Sequence, residues 1–538
     1  MSKIVEYSLP GFDGAGLSSD SDPRLKELRS VHPVYAKMAN YWAFYGSAYE
    51  GGPSFVCASN IFKHVREDDT DYTERVSRAH NLNYCEPIVD FFTNFIYARP
   101  ISRQGGKSNT TLDLVAKDVN RKGHNVDRFM REVSDDMHIY GMSHVLVDMP
   151  IKPEGVLSVA QVRELGIRPY WVLVKPTEIL DWVYDMFGKP VYMKRRQVNR
   201  VLTADATAAV VETFTEYLVD RILVSRVDIT DPEKPSIVEY KSVLENRAGR
   251  VPIITLKFKP SRKEPDIGVS FLRDFAFNNR EIINLTSMLQ EFLYRQAFNI
   301  LAKESDGMGG VPMRDQTEGD VGTSNVVLYP RGGKAPAYIS PASDPAEFIQ
   351  GERSVIKSEM FARAAQGLIS EMFNGEKSSG FSQAQSFSKT QPFINSRAET
   401  LESAEQELWA LTAHLNGEVW DGKVKYTDDY SITSLTDGLT HLLMIIKDFQ
   451  MPSETFAKEE LKSIVRRYNA KIPADVLSKI DREIESMDWG KWRSAQEQAL
   501  LGRVGNSPTE QQGDNDSGTS EEVARESKVA GATNLLRK

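Results

Sequence analysis

Residues 269–301 read VSFLRDFAFNNREIINLTSMLQEFLYRQAFNIL, with no proline and no glycine. Leu272, Phe275, Ile282, Leu285, Leu289 and Phe292 recur in it at spacings of three, four or seven. That is the period of one helix face, so the stretch predicts a single α-helix about 50 Å long at about 1.5 Å per residue. A second face carries Arg273, Asn278, Arg280, Glu291 and Arg295. A helix with so long an apolar stripe needs neighbours to cover it.

Downstream, residues 303–344 break the pattern with many Gly and Pro and hold two short strand candidates, NVVLY and APAYI. A second helix is expected over 346–369, with Phe348, Val355, Ile356 and Phe361 on its apolar side. Two long helices thus bracket a small β insertion. Residues 370–391 are rich in Ser, Gln and Gly, with Phe373, Phe381 and Phe387 spaced through them and Lys377 and Lys389 as their cations. Another long helix is expected over 393–417, stopped by Asn416-Gly417. Residues 418–492 read as a smaller α-rich unit, and the polar tail from about 503 reads as disordered.

Upstream, residues 1–22 read as a flexible arm, and Asp22-Pro23 as a helix start. Trp42, Phe44, Tyr45 and Tyr49 are expected in the core. Residues 72–100 read as helix, break, helix, with Val89, Phe92, Phe95 and Ile96 buried. Asn125 is expected to cap a helix whose stripe is Val126, Phe129, Met130, Val133 and Met137, ended by Gly141 and followed by the buried strand HVLVDMP. From 168 to 258 the segments RPYWVLV, PVYMKRRQV, VETFTEYLV, RILVSRVDI, SIVEYKSVL and VPIITLKF read as strands. In SIVEYKSVL, Val238 and Tyr240 alternate with Glu239 and Lys241, the pattern of a sheet with one wet face. The fold class is α+β.

The 538 residues suggest about three or four domains. A hydrophobic fraction of 41% and a charged fraction of 26% exclude collagen-like and wholly disordered chains. The net charge of -9 argues against a generally basic, DNA-coating surface. Two cysteines, Cys57 and Cys85, exclude a disulfide framework and suit a reducing compartment. No apolar signal core opens the chain, and no run of about 18 apolar residues occurs, so no membrane partner is expected.

Motifs for catalysis fall short. Gly106-Lys107-Ser108 ends like a phosphate loop, but Ile101 stands where the first glycine belongs. Gly307, Gly309 and Gly310 are followed by Pro312 where a third dinucleotide-site glycine is needed. His138 and His144 lack metal spacing, and Gly141-Met142-Ser143-His144 is followed by Val145 rather than the glycine of a nucleophile elbow. The pairs Asp68-Asp69 and Asp135-Asp136 read as solvated carboxylates. No catalytic, cofactor-binding or metal residue is assigned.

Over about residues 30–490 the chain resembles the portal proteins of tailed double-stranded DNA bacteriophages. The resemblance rests on IYGMSHVLVDMP, RPYWVLVKPTEILDW, the pair from ERVSRAHNLNY to ARP, the bracketed helix–β insert–helix–loop–helix series, and SSGFSQAQSFSKTQ. It implies an arm (1–23), a wing (24–265), stem helices (266–302 and 346–369) around a β-containing clip (303–345), a tunnel loop (370–391), a long wing helix (392–417), an α-helical crown (418–492) and a tail (493–538). It implies a structural protein without an active site or cofactor, forming a ring of about twelve subunits at one capsid vertex of the virion and assembled in the host cytoplasm. Such rings nucleate the head with scaffolding protein, contact the major capsid protein, and hold the terminase and later the head–tail connector. They pass double-stranded DNA without reading its sequence. On this resemblance Lys377, Phe381, Gln385, Phe387 and Lys389 would face DNA in the tunnel loop. Leu272, Phe275, Ile282, Leu285, Leu289 and Phe292 would form the stem interface between subunits. The rival from another class is a phage hydrolase or nuclease domain fused to a structural stalk.

Overall fold

The computed structural model describes residues 22–104, 110–150, 161, 165–202, 208–296, 300–305, 326–330, 337–339, 344–365, 380–427, 430, 454–455, 458–459, 461–462, 465 and 474–488. The chain divides into two compact units, Met1–Thr433 and Ser434–Lys538.

The first unit opens with helices: α1 (Pro23–Leu28), α2 (Pro33–Glu50), α3 (Gly52–Phe55), α4 (Asp69–Arg78), α5 (Cys85–Ile96), α6 (Thr110–Lys117) and α7 (Val126–Tyr140). Their ends follow local chemistry. The Asp22 carboxylate accepts the Arg24 amide at 2.9 Å, and Asn125 accepts the Arg128 amide at 3.0 Å, each satisfying an orphan donor of a first turn. Gly141 ends α7 with φ +83°, and a Cβ there would lie 2.3 Å from the Ser270 amide nitrogen. Only glycine meets both demands. The expected α7 stripe is buried throughout, as are Trp42, Phe44, Tyr45, Val89, Phe92 and Ile96, while Tyr49 and Phe95 are half-buried.

Strand β1 (Ser102–Gln104) lies between α5 and α6. β2 (Met142–Asp148) follows Gly141 and is the centre of an antiparallel sheet with β3 (Tyr170–Val174) and β9 (Ile253–Lys257). Met142 through Val147 are all buried, Ser143 and His144 included, as in a strand covered on both faces. β4 (Ile179–Tyr184), β5 (Pro190–Leu202), β6 (Ala208–Leu218), β7 (Arg221–Asp228) and β8 (Ser236–Glu245) form a second, antiparallel sheet in sequence order. β4 was not among the strands read from the sequence.

Helix α1 is tied to the second sheet. Arg29 pairs with the buried Glu212 at 2.8 Å, and Lys194 donates to Ser30 Oγ at 2.9 Å. The wet face of β8 is the reverse of what its alternation suggests. Val238 is 67% exposed, whereas Glu239 and Lys241 are half-covered through Arg226 (2.7 Å) and Glu27 (2.6 Å). Register shifts between β7 and β8, and Lys241 at φ +46°, re-aim the side chains.

The decisive stretch forms α8 (Arg273–Gln296), shorter than the expected helix. At its start Ser270 Oγ accepts the Leu272 amide (3.0 Å) and donates to Ile139 O (2.6 Å), pinning the chain to the end of α7. At its end Ile300–Ser305 is β10, drawn into a three-stranded sheet by pairing parallel to β11 (Val326–Pro330) and antiparallel to β12 (Ala337–Ile339). Pairing overrides the local apolar spacing there. β11 and β12 are the two expected strands. α9 (Asp344–Ala365) packs back along α8.

Helix α10 (Gly380–Leu415) begins well before 393, with Pro392 inside it. The second half of the expected tunnel loop is therefore helical. From Phe381 to Gln391 nothing breaks a helix, and Pro392 forfeits one backbone bond. α10 packs on β9 and β2, where Trp171 Nε1 donates to Thr412 Oγ1 at 2.8 Å, with its ring edge-on to Trp409 and Phe129. β13 (Lys423–Lys425) pairs with β1, so residues 418–433 belong to this unit rather than to the α-rich unit expected from 418. In the second unit, α11 (Ala474–Ser486) follows Pro473 in the sequence.

Candidate assembly surface

The apolar stripe of α8 divides in two. Leu272, Phe275 and Ile282 are buried in the chain's own core. The expectation that a lone chain leaves them uncovered is corrected, because α2, α4, α5 and α9 all pack on α8. Leu285, Leu289 and Phe292 are half-buried.

Polar contacts lock the covered side. Asn284 accepts the Phe62 amide and donates to Asn60 O, both at 2.8 Å. The Arg280 guanidinium lies about 5 Å from the rings of Phe44, Phe62 and Phe277, where the negative ring faces attract it. Arg75 forks onto Glu67 at 2.7 and 2.8 Å and donates to Ser287 Oγ at 2.8 Å. That fork holds the Glu67 carboxyl below its ordinary pKa. Arg78 bonds Glu291 at 2.5 Å and lies 4.4 Å from the Tyr294 ring centre.

Helix α9 also has two sides. Met360, Phe361 and Ala364 are buried, with Phe361 edge-on to Tyr84 at 5.6 Å. Phe348 and Val355, grouped with Phe361 by spacing, point outward at 75% and 51% exposure. They stand seven residues apart, two turns along one line of the helix. Met288 and Leu293 of the neighbouring α8 are exposed as well. Phe348 and Val355 form an exposed apolar line along α9, a candidate contact for another copy. The sequence reading missed Met288 and Leu293. Their signal was present, as large apolar residues off the phase of the main stripe.

Of the expected DNA-facing residues, Lys377 lies outside the described residues. Phe381, Gln385, Phe387 and Lys389 fall on the first turns of α10. Positions 381, 385 and 389 follow the i, i+4, i+8 spacing of one helix side.

The remaining polar candidates have structural roles. His138 Nδ1 lies 2.7 Å from Ser134 O, and burial pushes its pKa down to about 4. His144 Nδ1 lies 2.9 Å from Thr255 Oγ1, and burial pushes its pKa down to about 3. Both are neutral at pH 7. Asp68 caps α4, accepting the Asp71 amide at 2.7 Å. Asp135 and Asp136 are not solvated as expected. Asp136 is buried, and each carboxyl has one oxygen without a hydrogen-bond donor. Burial pushes Asp135 up to about 6 and Asp136 up to about 7. Cys57 and Cys85 are free thiols, and burial raises the pKa of Cys85. Among the described residues no group of three His, Cys, Asp or Glu side chains is placed to hold a metal, and no helix is long and apolar enough to cross a membrane.

No protein-family model matches the chain. No curated protein matches it either. Among solved structures it is similar to a chain in the neck of an empty gene transfer agent particle computed with C6 symmetry, at 13% identity and a TM-score of 0.37, over 69% of this chain and 87% of that one. It is similar to a chain in the virion of the native gene transfer agent particle, at 11% identity and a TM-score of 0.36, over 69% and 86%. It is also similar to a chain in the neck of the native particle computed with C12 symmetry, at 11% and 0.36, over 72% and 89%.

Proposed function

We propose that the chain is the subunit of a portal ring, a structural component of a virion head–tail junction. The observation that carries this reading is the exposed pair Phe348 and Val355, two turns apart on one line of α9. A head-to-tail ring covers such a side in every copy, because a heterologous contact that closes leaves no free end. The order of elements supports it too, with two long helices bracketing a small sheet and a further long helix returning to the body.

In this reading about twelve copies surround a channel for double-stranded DNA. The acidic chain suits a conduit, since a strongly cationic wall would hold DNA through phosphate contacts and counterion release. The β10–β12 tip docks the terminase during filling and the head–tail connector afterwards. Residues 370–391, with Lys377 and Lys389, touch the phosphate backbone without reading bases. Scaffolding and major capsid proteins meet the body of the ring during head assembly.

The test is native mass measurement with negative-stain imaging of wild type, Phe348→Asp and Val355→Glu. Both side chains are exposed in the single chain, so the variants fold and lose the ring. Rings of unchanged subunit number in both variants would overturn the assignment of this surface. A compact wild-type monomer would overturn the portal reading itself.

A further inference from the structure

Among the described residues no strand lies beyond β8 in the five-stranded sheet. β8 is ten residues long, and among the described residues nothing pairs with the backbone on its side away from β7. Val238 and Val243 stand 67% and 65% exposed on it. A long apolar edge strand pairs readily with any other strand, and folded chains normally cover one. The bulge at Lys241 bends this edge but leaves the apolar side chains in water.

The described chain begins against this strand. The Arg24 guanidinium lies 5.8 Å from the Tyr240 ring centre, and the Tyr240 hydroxyl and Lys241 ammonium both bond the Glu27 carboxylate, at 2.7 and 2.6 Å. Residues 1–21 precede that point and lie outside the described residues. Within them, residues 3–9 read KIVEYSL. Val5, Tyr7 and Leu9 alternate with Glu6 and Ser8, the period of a half-buried strand, and Pro10-Gly11 closes the run as a turn. The residues from 10 to 21 span up to about 40 Å when extended, against about 33 Å for the length of β8.

We propose that residues 4–9 add to the outer edge of β8 of the same chain as a sixth strand. The occupant is the chain's own arm because the tether starts at that edge. A short tether holds its end at about millimolar effective concentration, which a free partner has to exceed. The added strand lays Val5, Tyr7 and Leu9 beside the exposed valines and closes the edge to other copies. The added strand depends only on α1, β8 and the residues before them, and forms whether or not the chain assembles into a ring.

Two measurements on the full chain test it. Hydrogen exchange over 236–245 is compared between wild type and Val5→Pro/Glu6→Pro, adjacent positions whose N–H groups point to opposite strand edges, so one ladder donor of the arm is lost in either register without touching the body. Exchange in β8 is expected to speed up about tenfold or more, with β5 and β6 unchanged. Equal exchange in the two proteins overturns the proposal. Second, a benzophenone amino acid in place of Tyr7 is photo-activated and the linked peptides are mapped. Crosslinks to 236–245 within one polypeptide support the proposal. Crosslinks to a second copy, or to any other segment, overturn it.

Discussion

Replacing Asp136 by Asn isolates what a buried carboxyl without a full set of donors does to this fold. Asp136 lies on α7 beside Tyr140, whose ring has the Lys175 ammonium 6.0 Å from its centre. Burial pushes its pKa up to about 7, Lys175 pulls the other way, and the Asp135, Glu178 and Glu132 charges push it further up. An unfolded Asp titrates near about 3.9. Between those values the folded chain binds the proton more tightly, so wild-type stability falls as pH rises from about 4 to about 7. A shift of about three units at about 1.36 kcal/mol each amounts to roughly 4 kcal/mol at pH 8. Asn carries no charge but still buries an amide, at a cost of about 1–3 kcal/mol. Asp136→Asn is therefore expected to be more stable than wild type by about 1–3 kcal/mol at pH 8, and equal or less stable at pH 4. Asp135, pushed up to about 6, adds a smaller slope of the same sign that both proteins keep. Urea unfolding at pH 4, 5, 6, 7 and 8, at one protein concentration and in one assembly state, measures the difference. A difference that does not change with pH, or a less stable variant at pH 8, would refute the reasoning.

Gly141→Ala meets the Ser270 amide nitrogen at 2.3 Å with φ at +83°, so a loss of several kcal/mol in urea unfolding is expected, well beyond the roughly 1 kcal/mol of a left-handed residue alone. Glu405→Gln removes the buried charge that binds Arg103 and accepts from the Tyr426 hydroxyl (2.8 Å) and Trp409 Nε1 (3.2 Å), and unfolding is expected to come about 3–5 kcal/mol more easily. Trp171→Phe loses the bond to Thr412 and part of a ring. It should cost about 2 kcal/mol by the same assay, with circular dichroism unchanged. Lys377→Ala with Lys389→Ala is expected to reduce DNA retention in packaged particles mildly, and less at high salt, because exposed charges are screened over about 8 Å at physiological ionic strength.

What the sequence by itself determined is the part governed by neighbours along the chain. Asp22 with Pro23, Asn125 and Gly141 mark helix ends because a cap bonds an amide two or three residues away and a left-handed turn needs a missing Cβ. The stripe of α7 and most strands from 170 to 257 were legible for the same reason, since period follows from local backbone geometry. The arrangement of two long helices around a small sheet was legible too. The candidate surface was legible only in outline. Phe348 and Phe361 are the same residue on one helix, yet one is in water and the other against Tyr84, and nothing local separates them. Leu272 and Ile282 looked free for another subunit until α2, α4 and α5, some two hundred residues earlier, were packed over them. β10 took residues that continue an apolar run because its partners lie beyond residue 325 and supply backbone bonds a helix end lacks. Spacing along the chain tells which residues leave water together. Only the tertiary structure decided which surface they leave it for, because burial depends on partners whose separation in sequence carries no periodic signal.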